Sequence, residues 1–432
     1  MSEEIKKNVE ELVKIFNVKT EQKIPVDNKK EAFSPSPKPD QIIFYGVPGC
    51  GKSHQVDEKI NNAIIDYNKD KDVTERVTYE KQVIRTVFHP DYCNADFIGQ
   101  ITPQKKGDGI SYEFKPGPLA NIIRKAYLNP SKPYFLVIEE INRGNAAAIF
   151  GETFQLLDRY KHEEHSSREE IQNEEYDYTE GWSRYSINND DLNAFILLGG
   201  DSSVAEKEPG VIYESDSEDA PKSAIKIPSI NLHFSTYCGI RLPPNLSIYA
   251  TMNSSDQNVF SLDNAFQRRW NMKQVPNRLR NKIPDNLNEE ERKKAQAEVN
   301  QYNEHIGDTG VTWGIFREEI NIIIMQSAEE NGLSSMEDKR LGGWFITPER
   351  EPDAAEDIKS KITKDAFAEK VLKYLWDDAF KFDRKNHFGD VTTLEDLIEK
   401  FHTHWFKVFE NKSKKISDLQ IITPPALRNS HV

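Results

Sequence analysis

Phe44-Tyr45-Gly46-Val47-Pro48-Gly49-Cys50-Gly51-Lys52-Ser53 follows the apolar run that starts at Gln41 and precedes a helical pattern beginning near His54. Strand, glycine-rich turn and helix, in that order, form the setting in which G-x-x-x-x-G-K-[ST] binds a polyphosphate. Glycines let successive backbone N–H groups turn toward phosphate oxygens, a lysine reaches the β- and γ-phosphates, and a hydroxyl joins a Mg²⁺ shell. Gly46, Gly51, Lys52 and Ser53 fill those positions, and Pro48, Gly49, Cys50 and His54 complete the expected nucleotide-binding stretch.

A phosphate loop needs a second strand that supplies acid. Pro133 introduces Tyr134-Phe135-Leu136-Val137-Ile138, a continuous apolar run of the kind buried on both faces of a parallel sheet, and it ends in Glu139-Glu140. One carboxylate, Glu139, would hold the Mg²⁺ shell together with Ser53, and the next, Glu140, would orient the attacking water. A further core strand, Asn245 to Ala250, runs into Thr251-Met252-Asn253, and a polar residue at its tip would sit beside the γ-phosphate. Val83 to Phe88 reads as another strand.

Around this core the chain changes character. Ser2 to Phe16 carries apolar residues at helical spacing, and residues 1–38 read as that helix plus a proline-rich linker through Ser34-Pro35-Ser36-Pro37-Lys38-Pro39. Residues 39–276 read as the α/β nucleotide-binding domain. Within it, about 160–227 is an acidic insertion, weakly periodic apart from the apolar run Phe195-Ile196-Leu197-Leu198, and it reads as bearing a hairpin or loop. Residues 277–432 turn helical, with one apolar face from Phe367, Val371, Leu372, Leu375, Trp376 and Ala379 and another from Leu394, Leu397, Ile398, Phe401, Trp405 and Phe409.

The 432 residues suffice for two or three domains, and a formal net charge of −14 excludes a surface that binds nucleic acid everywhere, so any DNA contact must be focal. The three cysteines, Cys50, Cys93 and Cys238, lack metal or redox spacing and point to a reducing cytoplasm. No apolar run approaches the roughly 20 residues of a membrane span.

Glu139-Glu140-Ile141-Asn142-Arg143-Gly144-Asn145, continuing to Ile149-Phe150-Gly151-Glu152, resembles the McrB-type AAA+ GTPases, motor subunits of modification-dependent restriction systems. Phe88-His89-Pro90-Asp91-Tyr92, the stretch Leu242 to Asp256, the segment Leu262 to Trp270 and Asp338-Lys339-Arg340-Leu341-Gly342 are similar to four further parts of that family. The resemblance implies an α/β AAA+ P-loop core, a parallel sheet flanked by helices, followed by a smaller α-helical lid. It implies Mg²⁺ as cofactor, GTP rather than ATP as substrate, Glu139 at a position the family usually fills with Asp, and Asn253 as a water-positioning residue. Arg268 and Arg269 would reach from one subunit into the next subunit's site, which implies a homo-oligomeric ring, a hexamer in this family, driving a McrC-like nuclease subunit. DNA would be met through the partner or the pore. The family's DNA-recognition domain has no counterpart ahead of the phosphate-loop strand here, which leaves that task to another subunit or to the insertion.

Other patterns are set aside. Pro90-Asp91 with Glu113-Phe114-Lys115 mimics a metal-dependent nuclease but overlaps the family match, and His162-Glu163-Glu164-His165 spaces its histidines by three where the zinc helix needs four. A different class of function stays open: a nucleotide-gated scaffold or remodelling subunit of another defence system, motivated by Glu139 and the absent recognition domain.

Overall fold

The computed structural model describes residues 38–106, 109–161, 180–198, 225–226, 233–234, 240–253, 260–330, 337–348 and 361–419. The expected N-terminal helix, most of the acidic insertion, His162, His165 and Cys238 lie outside them.

In chain order, β1 (Gln41–Gly46) passes through the phosphate loop into α1 (Lys52–Asn68). Next come β2 (Val83–Val87), a hairpin of β3 (Gly99–Lys106) and β4 (Gly109–Pro116), then α2 (Pro118–Leu128) and β5 (Tyr134–Glu139). They are followed by α3 (Asp190–Leu198), β6 (Leu246–Asn253) and β7 (Asn271–Gln274). The helical part includes α4 (Glu289–Asn303), α5 (Trp313–Glu330) and α6 (Leu394–His404).

Five strands pair in the order β2-β5-β6-β1-β7, every neighbour parallel. Side chains on a strand alternate between faces, and here both faces are covered. Ile43, Leu136, Ile138, Ile248 and Ala250 join the core under α2. Phe44, Phe135, Val137 and Tyr249 join the core under α1, where Val56, Ile60 and Ile64 recur every four residues. Full burial of one such aromatic or aliphatic side chain contributes about 1.5 to 3 kcal/mol, and that explains why these strands read as unbroken apolar runs. The register places Gly46 opposite Asn253 and Val87 opposite Glu139, so the carboxyl ends of four strands lie along one edge.

Phe195–Leu198, the apolar run of the insertion, is the last turn of a helix, α3, and at the insertion's far end Ile225–Lys226 pairs antiparallel with His233–Phe234. Four consecutive apolar residues fit either state, and two contacts decide it: Asn189 caps the helix by accepting from the Leu192 N–H at 3.0 Å, and the Phe195 ring sits 5.8 Å from Phe114 of β4. The face expected to run on to Phe409 stops earlier. α6 ends at His404, and Trp405 takes a left-handed φ of 53°. The Trp405 ring fills the space where a Cβ on Gly307 would stand, 2.2 Å away, so the tryptophan requires glycine at that position. Phe316, Phe367, Phe401 and Phe406 build the core of this helical part through ring contacts of 4.9 to 5.9 Å.

Candidate nucleotide site

The phosphate loop turns on two glycines in the left-handed region, Gly49 at φ 75° and Gly51 at φ 96°. Lys52 opens α1 and is buried, and its Nζ donates to the Gly46 and Val47 carbonyls at 3.1 and 3.0 Å and to Asn253 Oδ1 at 2.6 Å. Burial pulls the pKa of this ammonium below its ordinary value, against the opposing pull of Cys50, Glu140 and Glu139. Burial also pushes the Cys50 thiol up, more strongly than Lys52 draws it down.

Asn253, at the tip of β6, links the lysine to the second carboxylate. Its Oδ1 accepts from Lys52 and its Nδ2 donates to both oxygens of Glu140, at 2.7 and 2.8 Å. Glu140 can meet it because its backbone adopts a left-handed φ of 54° just past the end of β5. A non-glycine residue held there stores strain of the kind found at functional sites. Asn142, buried, donates to the Asn253 carbonyl at 2.8 Å and so braces the loop, while Arg143 lies 3.4 Å from Glu140.

Glu139 faces Ser53, whose hydroxyl donates to it at 3.1 Å. Thr251, two residues before Asn253 on the same face of β6, also donates to Glu139. One hydroxyl and one carboxylate at a strand end are hard oxygen ligands suited to Mg²⁺, which keeps several waters and takes the rest of its shell from phosphates. No group of three or more His, Cys, Asp or Glu exists among the described residues to compete for a metal.

Arg85 escaped the sequence reading. It lies partly exposed on the edge strand β2, ion-pairs with both Glu139 and Asp57, and donates to the Tyr79 hydroxyl at 2.8 Å. A basic residue in the middle of Val83-Ile84-Arg85-Thr86-Val87 was the available signal.

A strap from the helical part closes over the loop. The N–H of Gly342 donates to the Pro48 carbonyl at 3.0 Å and that of Trp344 to the Gly49 carbonyl at 2.8 Å. Beside it lies a cavity of about 870 Å³ lined by Cys50, Gly51, His54, Arg278, Lys294 and Trp344, among others. It adjoins the phosphate loop and is large enough for a purine nucleoside.

Arg268 and Arg269 are not part of this edge. They precede β7, whose Asn271 pairs with Ile42, and so lie at the amino ends of the strands. Arg269 is held within the chain, bonded to Asp158 at 2.6 and 2.9 Å and stacked 4.0 Å over Phe154. Arg268 is exposed.

A family model for the AAA domain, dynein-related subfamily, matches residues 41–270. The chain belongs to that family. The matched residues contain the five-stranded sheet up to the start of β7, the helical part that follows is consistent with an AAA+ lid, and the McrB-type likeness read from the sequence is borne out. Among curated proteins, the type II restriction enzyme BsuMI component YdiS of Bacillus subtilis (strain 168) is 28% identical over 386 residues, covering 84% of this chain and 86% of that protein. The type IV methyl-directed restriction enzyme EcoKMcrB subunit of Escherichia coli (strain K12) is 29% identical over 133 residues, 29% of this chain and 24% of that protein. As an AAA domain with a complete phosphate loop and acidic strand end, the chain is a P-loop NTPase.

Proposed function

We propose that this AAA+ NTPase is the motor subunit of a DNA restriction system, hydrolysing GTP in preference to ATP, assembling as a ring and driving a McrC-like nuclease partner. The observation that carries the reading is the continuous link Lys52–Asn253–Glu140 at the phosphate-loop edge. It ties the phosphate-binding cation, the polar strand tip and the water-orienting carboxylate into one unit. The two restriction-enzyme relatives support the biological setting. In this scheme residues 39–276 form the NTPase domain and 277–432 the lid. Glu139 and Ser53 hold Mg²⁺, which neutralises phosphate charge, and Glu140 accepts the proton of the attacking water. Arg268 acts on the next subunit's nucleotide, since the length of β1 separates it from its own phosphate loop.

Glu140→Gln keeps the hydrogen bond to Asn253 but removes the base. It is expected to bind nucleotide and to lose about 10²- to 10⁴-fold in turnover. Turnover is measured with GTP and with ATP, over a range of protein concentrations, with and without the candidate nuclease. Near wild-type turnover in Glu140→Gln removes that residue from its role. Absence of wild-type hydrolysis under every condition refutes the motor reading in favour of a nucleotide-gated scaffold.

A further inference from the structure

Arg85 stands on the face of the sheet that α1 covers. β2 pairs with β5 so that Val83 lies opposite Phe135, Arg85 opposite Val137 and Val87 opposite Glu139, and Val83, Phe135 and Val137 pack in the core under α1. From that face the guanidinium forks. Its Nη1 donates to Glu139 Oε1, while Nη2 donates to Asp57 of α1 and to the Tyr79 hydroxyl, which itself donates to Asp57 at 2.5 Å. The other oxygen of Glu139, Oε2, accepts from Ser53 at 3.1 Å and from Thr251. Thr251 also accepts from the Glu140 backbone N–H at 3.2 Å. Hydrogen bonds therefore run unbroken from Asp57 through Arg85, Glu139 and Thr251 to the strained backbone of Glu140.

We propose that Arg85 is a positioning residue for nucleotide hydrolysis: by holding Oε1 of Glu139 it keeps Oε2 turned to Ser53 and the Mg²⁺ shell. The inference rests on the reading above that Glu139 and Ser53 hold Mg²⁺, and it adds the group that orients the carboxylate. A glutamate carboxylate turns on three side-chain bonds, one more than that of an aspartate, so it needs a fixed partner to present the same oxygen each time. Arginine suits that task because its planar fork engages two carboxylates in one orientation. A cation here has a second effect of opposite sign, since its charge repels a metal ion. The Arg85 and Asp57 side chains are 32% and 39% exposed, so their opposite charges offset each other within reach of screening water. The direct contact to Glu139 is not screened in that way, and orientation outweighs repulsion. The direction of the Mg²⁺ shift on removing Arg85 separates the two effects.

The test reads binding of a fluorescent GTP or ATP analogue to the full chain in the Glu140→Gln background, across a series of free Mg²⁺ concentrations. Arg85→Ala is expected to bind nucleotide without Mg²⁺ within about twofold of its parent and to raise the Mg²⁺ midpoint about tenfold or more, with Arg85→Lys in between. When Glu139→Ala is already present, adding Arg85→Ala should move the midpoint by less than about twofold, because the carboxylate it orients is gone. An unchanged or lower midpoint in Arg85→Ala overturns the inference. So does a rise of the same size in the Glu139→Ala background, since Arg85 would then act through the fold and not through Glu139. Should a thermal melt show Arg85→Ala unfolded, Arg85→Lys is judged by the same cycle. A raised midpoint in Glu139→Ala beside an unchanged one in Arg85→Ala defeats this inference alone, whereas an unchanged midpoint in Glu139→Ala defeats the Mg²⁺ reading and this inference with it.

Discussion

Replacing Gly342 with alanine should uncouple the strap from the phosphate loop. A methyl group at Gly342 would stand 2.1 Å from the Gly49 carbonyl carbon and 2.4 Å from the Cys50 nitrogen, both backbone atoms that no rotamer change can move. Strap and loop must separate, which breaks the Gly342–Pro48 and Trp344–Gly49 hydrogen bonds. In a trans peptide the carbonyl of one residue points opposite to the N–H of the next. By holding the Pro48 and Gly49 carbonyls, the strap therefore sets the direction of the Gly49 and Cys50 N–H groups. Each bond contributes about 1 kcal/mol net, and disturbing the packing adds about as much again. The expected loss is about 2 to 3 kcal/mol in nucleotide affinity, or roughly 30- to 150-fold in Kd. Fluorescent-nucleotide titration reads it, with a thermal melt to establish that the chain is folded. Gly343→Ala is the comparison, because the atoms nearest its Cβ belong to the Leu279 side chain, at 2.7 Å, and not to the backbone of the phosphate loop. A folded Gly342→Ala that binds within threefold of wild type refutes the coupling.

Arg159→Leu leaves three carbonyl acceptors without their donor and should destabilise the chain by about 2 to 4 kcal/mol in chemical denaturation. The loss is moderated because desolvation already pulls this guanidinium down to about 9; unchanged stability would rule out Arg159 as the fastening of the insertion root. Lys52 makes a pH-dependent contribution whose sign follows from its lowered pKa. Below that pKa both folded and unfolded chains carry the proton and the burial penalty is complete, and the penalty fades as pH rises toward the unfolded value. Wild type should therefore gain stability relative to Lys52→Met between neutral pH and about pH 10, and a flat or falling difference contradicts the burial. Cys93 is exposed whereas Cys50 is buried with its pKa raised. Iodoacetamide at pH 8 should label Cys93 about tenfold faster or more, read by peptide mass spectrometry; equal rates would place Cys50 outside the packed loop.

Local chemistry was legible in the sequence and long-range pairing was not. Lys52, Glu139-Glu140 and Asn253 announce themselves because each follows an apolar run that must be a buried strand. The fact that β6 lies between β1 and β5, and so lets Asn253 touch Lys52 and Glu140 together, depends on strand order, which no local pattern encodes. The strap is similarly hidden. Leu341-Gly342-Gly343-Trp344-Phe345 reads as a turn, and only its two bonds to the loop, nearly three hundred residues earlier, give the glycines their purpose. Arg268 and Arg269 look equivalent in sequence, but Asp158 and Phe154 engage one and leave the other exposed. Phe195–Leu198 gave no state because four apolar residues in a row carry no period.

The cavity beside the phosphate loop is lined by residues of α1, the 276–280 segment, α4 and Trp344, none of which bonds Glu139, Glu140 or Asn253. If the proposed nucleotide seats its base there, selection of the base and cleavage of the phosphate fall to different side chains. On that reading, substitutions at Arg278 or Lys294 would change which base is accepted and leave the Lys52–Asn253–Glu140 link in place, and divergence within such a lineage could change fuels by the same route.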